Sequence, residues 1–393
     1  MYKRYLIAYG IFLVPLLTPL ITNYVYLEKA GEYMPLSEIV AEQRAQPFCL
    51  YGSGVHSDFF HYKLEGYRQT KPDVAVIGSS RVMQLRQEFF ADSLYNLGGS
   101  ITSVDTAEHI TNLMLREHIP KVIIIGLDYW WFLEESRFPV KTLAPPKEKQ
   151  RRHLSSLILP LSWFKRGRLS VSTYTDVLLH GREAAAGCRI GVRAIHENSG
   201  FNKDGAHYYS FAYKPDAGGE LAYDRFAEAR EWVTTGENVY RHFQTVREDQ
   251  VERFIRLIEH LQERGIEVVV FVPPLPPQML AAIAEKPNEY AYLPRLFSLF
   301  QNKGFPFYNF HDTQSLGSND CEFLDEAHGD HIAFARILLA MVRGKSLTSR
   351  LDTEELQRVV RTAAPPFTND LYAIRCEKIQ NGQIRSLQGG EPK

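Results

Sequence analysis

Residues 74–80 read Val74-Ala75-Val76-Ile77-Gly78-Ser79-Ser80. Four apolar residues without alternation describe a strand buried on both faces, and Gly-Ser-Ser describes the turn that ends it. The pattern recurs downstream. Leu94–Leu97 runs into Gly98-Gly99-Ser100, and Val122–Ile125 into Gly126-Leu127-Asp128. Ile266–Val272 is a longer apolar run closed by prolines from Pro273 to Pro277, and Phe307–Phe310 is a short one. Between them the periodicity predicts helices over Val82–Phe90, Asp105–Glu117 (capped by Ser103 or Asp105), Val251–Arg264, Glu289–Lys303 and His331–Val342. A further helix is expected over Thr353–Thr362. This alternation predicts an α/β fold, a mostly parallel sheet with helices on both faces. In such sheets, sites form outside the carboxyl ends of the strands. The glycine turns at Gly78, Gly98 and Gly126 all fall there.

The chain has 393 residues, 45 basic and 46 acidic side chains, and an apolar fraction of 45%. That is ample for a core. It offers no basic run of the kind that marks a nucleic-acid partner. The N-terminus carries an address. Met1–Arg4 is short and basic, and Tyr5–Tyr26 runs without a charge, long enough to cross a bilayer as a helix. Tyr24 and Tyr26 are expected at the far interface, and Lys3 and Arg4 on the cytoplasmic side. An uncleaved anchor fits better than a cleaved signal, because no small-x-small exit site follows.

The sequence divides as follows. Residues 1–26 are the cytoplasmic tip and transmembrane anchor, and 27–70 a stalk or lead-in. Residues 71–345 form the α/β domain, with an insertion at about 136–245, and 346–393 hold a helix and a polar tail. The cysteines Cys49, Cys188, Cys321 and Cys376 have no metal-site spacing. One or two disulfides and isolated buried thiols are both open readings.

Chemistry concentrates in two segments. Ser80 stands at the first strand end. Asp325-Glu326-Ala327-His328 follows the last one. A serine hydroxyl needs an imidazole to take its proton, and the imidazole needs a carboxylate to fix its tautomer. Asp325 and His328 can supply both from one turn, with His331 as an alternative base. The N–H groups of Ser80, at a predicted helix start, and of Gly98 are candidate oxyanion donors. Capping and turn roles are the plainer readings of both. Asp325, His328 and His331 also offer three metal ligands, in a spacing that fits no zinc motif.

These residues resemble the SGNH (GDSL-type) hydrolases. That family carries Gly-x-Ser after its first strand, a Gly in its second block, Gly-x-Asn in its third and Asp-x-x-His near its end. Gly78-Ser79-Ser80, Asn96-Leu97-Gly98 and Asp325–His328 match the first, second and fourth. Gly126-Leu127-Asp128 departs from the third. Asp128 stands where the family's Asn donates to the oxyanion, and a carboxylate is an acceptor only. Either Asp128 is protonated, or it points elsewhere, or the third donor is missing; a salt bridge to Arg81 would be one resolution.

The resemblance implies a three-layer, flavodoxin-like fold with Ser80 as nucleophile, His328 as base and Asp325 as orienter. Gly98, Asp128 and Arg81 would lie toward the oxyanion or substrate. The whole layout is similar to a membrane-anchored subgroup that includes the alginate O-acetylation proteins and the D-alanine transfer protein of teichoic acids. Asn202-Lys203-Asp204-Gly205 is similar to an Asp-Gly segment of the alginate proteins. The subgroup implies single-pass anchorage in a bacterial inner membrane with the domain on the periplasmic side. It implies acyl transfer from an acyl donor to an envelope or secreted polysaccharide, beside a multi-pass membrane O-acyltransferase. No cofactor, metal or nucleic acid is implied. An envelope esterase with the same triad, and a non-catalytic glycan-binding scaffold using Tyr208, Tyr209 and Tyr213, are the alternatives.

Overall fold

The computed structural model describes residues 17–56, 59–133, 154–209, 226–242 and 245–362. They fall into two compact units. One takes the described residues up to Gln69 and those between Leu143 and Lys203, and the other takes those from Thr70 to Thr142 and from Asp204 onward.

The second unit is built on five strands: β1 (Val74–Ile77), β2 (Leu94–Asn96), β3 (Val122–Gly126), β4 (Glu267–Val272) and β5 (Phe307–Asn309). Their order is β2-β1-β3-β4-β5 and every pairing is parallel. This is the flavodoxin-like order, whose switch point lies between β1 and β3.

Alternate strand residues share a face. On one face Val74, Val76, Val122, Ile124, Val269 and Phe271 pack with Ile337, Leu338, Met341, Leu356 and Val359. On the other face Ala75, Ile123, Ile125, Val268 and Val270 are equally buried. The four helices that matter here are α1 (Val104–Glu117), α2 (Glu248–Glu263), α3 (His331–Arg343) and α4 (Thr353–Thr362). Ser103 caps α1, in a capping box with Thr106. Arg253 of α2 pairs with Asp105 and Glu108 of α1 and ties the two helices together.

One predicted helix does not form. Residues 80–89 hold two single 3-10 turns, Ser80–Val82 and Gln87–Phe89. An amphipathic helix buries one stripe. Here Arg81, Val82, Gln84, Leu85, Arg86 and Phe89 are all buried and Glu88 alone is exposed, so no continuous stripe is left for solvent. The Asn96 side chain also donates to the carbonyls of Val82 and Leu85, which a continuing helix would need. The helix predicted over Glu289–Lys303 is shorter, Tyr292–Ser298. The proline run after β4 closes the strand as expected but also starts a helix, Pro277–Ala284, with Pro277 in its first turn, where a missing N–H costs nothing.

The first unit contains the expected stalk and the described residues between 143 and 203 of the expected insertion; the described rest of that insertion, from Asp204 on, belongs to the second unit. Helices Leu36–Ala45 and Phe60–Thr70 flank strand Cys49–Tyr51. That strand pairs in parallel with Cys188–Ile190, and a disulfide joins Cys49 to Cys188 across the pair. Cys321, in the second unit, is disulfide-bonded as well. The thiols are therefore not isolated.

Most of the predicted anchor lies outside the described residues. Its last part does not. Residues 17–29 are helical, and Asn23, Tyr26 and Leu27 are buried in the first unit. Tyr26 stacks near Tyr174 and bonds to His196, so it packs against protein and not at a bilayer interface. Among the described residues, no helix is long and apolar enough to cross a membrane.

Candidate active site

Three glycines at strand ends prepare the site, for a reason the sequence reading did not give. A Cβ at Gly126 would fall 2.1 Å from Val82, one at Gly98 2.8 Å from it, and one at Gly78 3.0 Å from it. The ends of β1, β2 and β3 thus lack side chains where Val82 must seat. Val82 in turn fixes the turn that carries Ser80.

The late loop is closed just as tightly. Leu324 N–H donates to the His328 carbonyl and Asp330 N–H to the Glu322 carbonyl, each at 2.8 Å. Phe323 and Gly329 form a bridge between those two bonds. Arg336 grips both carboxylate oxygens of Glu322 from α3. Within the loop, Asp325 Oδ1 accepts the N–H groups of Ala327 and His328, both at 2.9 Å. The Tyr240 hydroxyl holds the Glu326 carbonyl from outside at 2.6 Å.

The two segments meet. His328 Nε2 lies 2.7 Å from Ser80 Oγ. His328 Nδ1 lies 2.7 and 2.8 Å from the two oxygens of Asp325. A carboxylate only accepts, so Nδ1 carries the proton and Nε2 is left to accept from the serine. Burial pulls the His328 pKa down, but the charge and hydrogen bond of Asp325 outweigh it and hold it above the usual histidine value. For Asp325, burial favours the neutral acid. The His328 charge and the loop hydrogen bonds outweigh that and hold the carboxyl below its usual range. His331, the alternative base, lies fully buried in the first turn of α3, and the imidazole that meets Ser80 is His328's.

Arg81 and Asp128 are brought together, but not as substrate contacts. Both are essentially fully buried, and Arg81 Nη1 lies 3.0 Å from Asp128 Oδ1. Arg81 also donates to the carbonyls of Pro273 (2.7 Å), Pro274 (2.8 Å) and Ala327 (3.1 Å). One guanidinium therefore ties the ends of β1, β3 and β4 to the loop of His328. The conflict raised by a carboxylate near an oxyanion is resolved as the pair is buried against itself. Burial pushes the Asp128 pKa up, with the Arg81 charge opposing. The salt bridge is one of the resolutions the sequence leaves open. The sequence did not foresee the three carbonyls, for which an arginine directly after the serine is the only signal.

Gly98 does not serve as predicted. Its N–H donates to Asn96 Oδ1 at 2.7 Å. The other expected donor is the Ser80 N–H. It lies in a single 3-10 turn, so no α-helix dipole supports it. Asp204 and Gly205 back the sheet. The Asp204 carbonyl accepts from Asn96 N–H, its carboxylate accepts from Gln87 N–H, and a Cβ at Gly205 would strike the Asn96 carbonyl. Tyr209 reaches the site itself, with its ring 6.2 Å from the His328 ring and its hydroxyl 3.2 Å from Met83 Sδ. Tyr208 lies over Arg86, and Tyr213 is outside the described residues.

Among the described residues, no group of three or more His, Cys, Asp or Glu is placed to hold a metal ion. The half-buried serine, imidazole and carboxylate lie on one line of hydrogen bonds, a geometry able to carry a proton from the hydroxyl to the imidazole. No family model, curated protein or solved structure matches this chain.

Proposed function

We propose that the chain is a membrane-anchored, outward-facing serine acyltransferase of the SGNH type, acting on a cell-envelope or secreted polysaccharide. The observation that carries the proposal is the unbroken line of hydrogen bonds from Ser80 through His328 to Asp325. Ser80 attacks the carbonyl of an acyl donor as its proton passes to His328 Nε2. The donor's alcohol leaves with that proton, and an acyl-serine remains. A sugar hydroxyl then gives its proton to His328 and takes the acyl group, restoring the serine. The flavodoxin-like strand order and the disulfide Cys49–Cys188 support the reading. The disulfide fits an oxidising compartment outside the inner membrane. The acyl donor, and a multi-pass O-acyltransferase that would deliver it, follow from the family resemblance.

Water in place of the sugar would make the same site an esterase. Incubating the full chain in detergent with a chromogenic acetyl ester, with and without an oligosaccharide acceptor, separates the two. Acceptor-dependent turnover with acetylated oligosaccharide supports transfer, and acceptor-independent release of acetate supports hydrolysis. The commitment of Gly98 N–H to Asn96 favours a third reading, a glycan-binding scaffold with an incomplete oxyanion hole. Oligosaccharide binding with no turnover in either assay would establish it.

A further inference from the structure

Among the described residues, eight large apolar side chains are exposed, and all but Ile119 belong to the first unit. Six of them are Leu17, Ile21, Leu154, Ile158, Leu161 and Val171, with Leu154 at 83% and Val171 at 69%. They come from three segments that run together. Asn23 donates to the Leu157 carbonyl and accepts from the Tyr174 hydroxyl, both at 2.7 Å. Six residues further on, Lys29 donates to the Leu178 carbonyl. The helix over 17–29 and the helix Val171–His180 therefore run in the same direction. Leu17, Ile21 and Val171 share one end of the pair, with 154–158 beside it. Leu179 is also exposed, but it lies roughly 12 Å further along its helix.

That end is where the uncharged run arrives. Asn23, Tyr26 and Leu27 are buried in protein. A membrane span must therefore finish before Asn23. Residues 5–22 carry no charge and as a helix would measure roughly 27 Å, close to the hydrocarbon thickness. Leu17, Ile21 and Val171 thus sit at the level where a span would leave the bilayer. Leu161 is one turn from Lys165 on the same helix face. Lys165, Arg166 and Arg168 are all exposed beside it.

We infer that this end of the first unit rests on the bilayer. Its apolar side chains enter the interface, and Lys165, Arg166 and Arg168 face anionic headgroups. The anchor is then a seated joint and not a free tether, and it holds the first unit at a fixed height. The inference rests on residues 5–22 crossing the membrane.

The test uses the full chain in nanodiscs, with a fluorophore on Leu161→Cys, Val171→Cys or, for reference within the same unit, Leu179→Cys. A nitroxide on the lipid headgroup quenches from the membrane, and iodide quenches from water. The expected result is lipid quenching at 161 and 171 at least fivefold above that at 179. It should fall at least twofold in Lys165→Glu/Arg166→Glu/Arg168→Glu, in anionic but not zwitterionic discs. Equal lipid quenching at all three sites in a carbonate-resistant chain would overturn the surface contact alone. Shielding of 161 and 171 from both quenchers would assign the patch to a protein partner and also overturn it. Release of the full chain by carbonate would instead remove the span beneath the inference.

Discussion

Arg81 Nε donates to the carbonyl of Ala327 at 3.1 Å, across 246 positions of sequence. The residue after the serine thus holds the residue before the histidine. The separation of Ser80 from His328 is set by a buried side chain and does not depend on their own hydrogen bond.

Removing that tie should cost both stability and geometry. Arg81→Met leaves Asp128 as a buried, unpaired charge, and a loss of about 3–5 kcal/mol is expected. Arg81→Met/Asp128→Leu should recover much of the stability, because the orphaned charge is gone. It should not recover activity, because the Ala327 tie is still missing. Urea unfolding beside ester turnover checks both arms.

Asp325→Asn should leave the loop folded, since an amide oxygen can still accept the N–H groups of Ala327 and His328. The amide no longer holds the proton on Nδ1, so Nε2 ceases to be a reliable acceptor. Turnover should fall by about 10⁴-fold, as for triads elsewhere, with the melting temperature within a few degrees of the parent. An unchanged rate would remove Asp325 from the relay.

The pH dependence follows from the same pair. Only neutral His328 can take the serine proton. Its pKa lies above the usual histidine value because Asp325 outweighs burial. The rate should therefore fall as pH drops through that raised value, tenfold per unit below it. In Asp325→Asn the charge is gone and burial prevails, so the acidic limb of the residual activity should move to lower pH. A profile of kcat/KM for both proteins tests the direction.

The disulfide Cys49–Cys188 closes a separation of 139 residues and joins two distant stretches of the first unit. Cys49→Ser/Cys188→Ser should destabilise that unit by roughly 2–5 kcal/mol. A calorimetric scan should show its transition lowered in the variant, and reductant should lower it in the parent.

Much of the sheet was legible in advance. Runs such as Val74–Ile77 and Val122–Ile125 are apolar at every position, which only a strand covered on both sides requires. Asp325 and His328 were legible because a short spacing joined two complementary groups. What failed did so for want of tertiary information. Val82–Phe90 has helical spacing, but buried Arg81, Gln84 and Arg86 and the reach of Asn96 from another strand override it. Gly98 looked like a ligand approach. Its neighbour is Val82, which no local pattern reveals. The stalk joins the described residues between 143 and 203 of the expected insertion in one unit, tied by the pairing of Cys49 with Cys188, and cysteine spacing alone could not specify that pairing.

The central claim is that His328 makes the Ser80 hydroxyl a nucleophile. The most direct measurement is mass spectrometry of the full chain after reaction with a fluorophosphonate. The account predicts one adduct, on the peptide carrying Ser80, formed at least 100-fold more slowly in His328→Ala and absent in Ser80→Ala. An unlabelled Ser80 in folded protein, or equal labelling after His328→Ala, would contradict it.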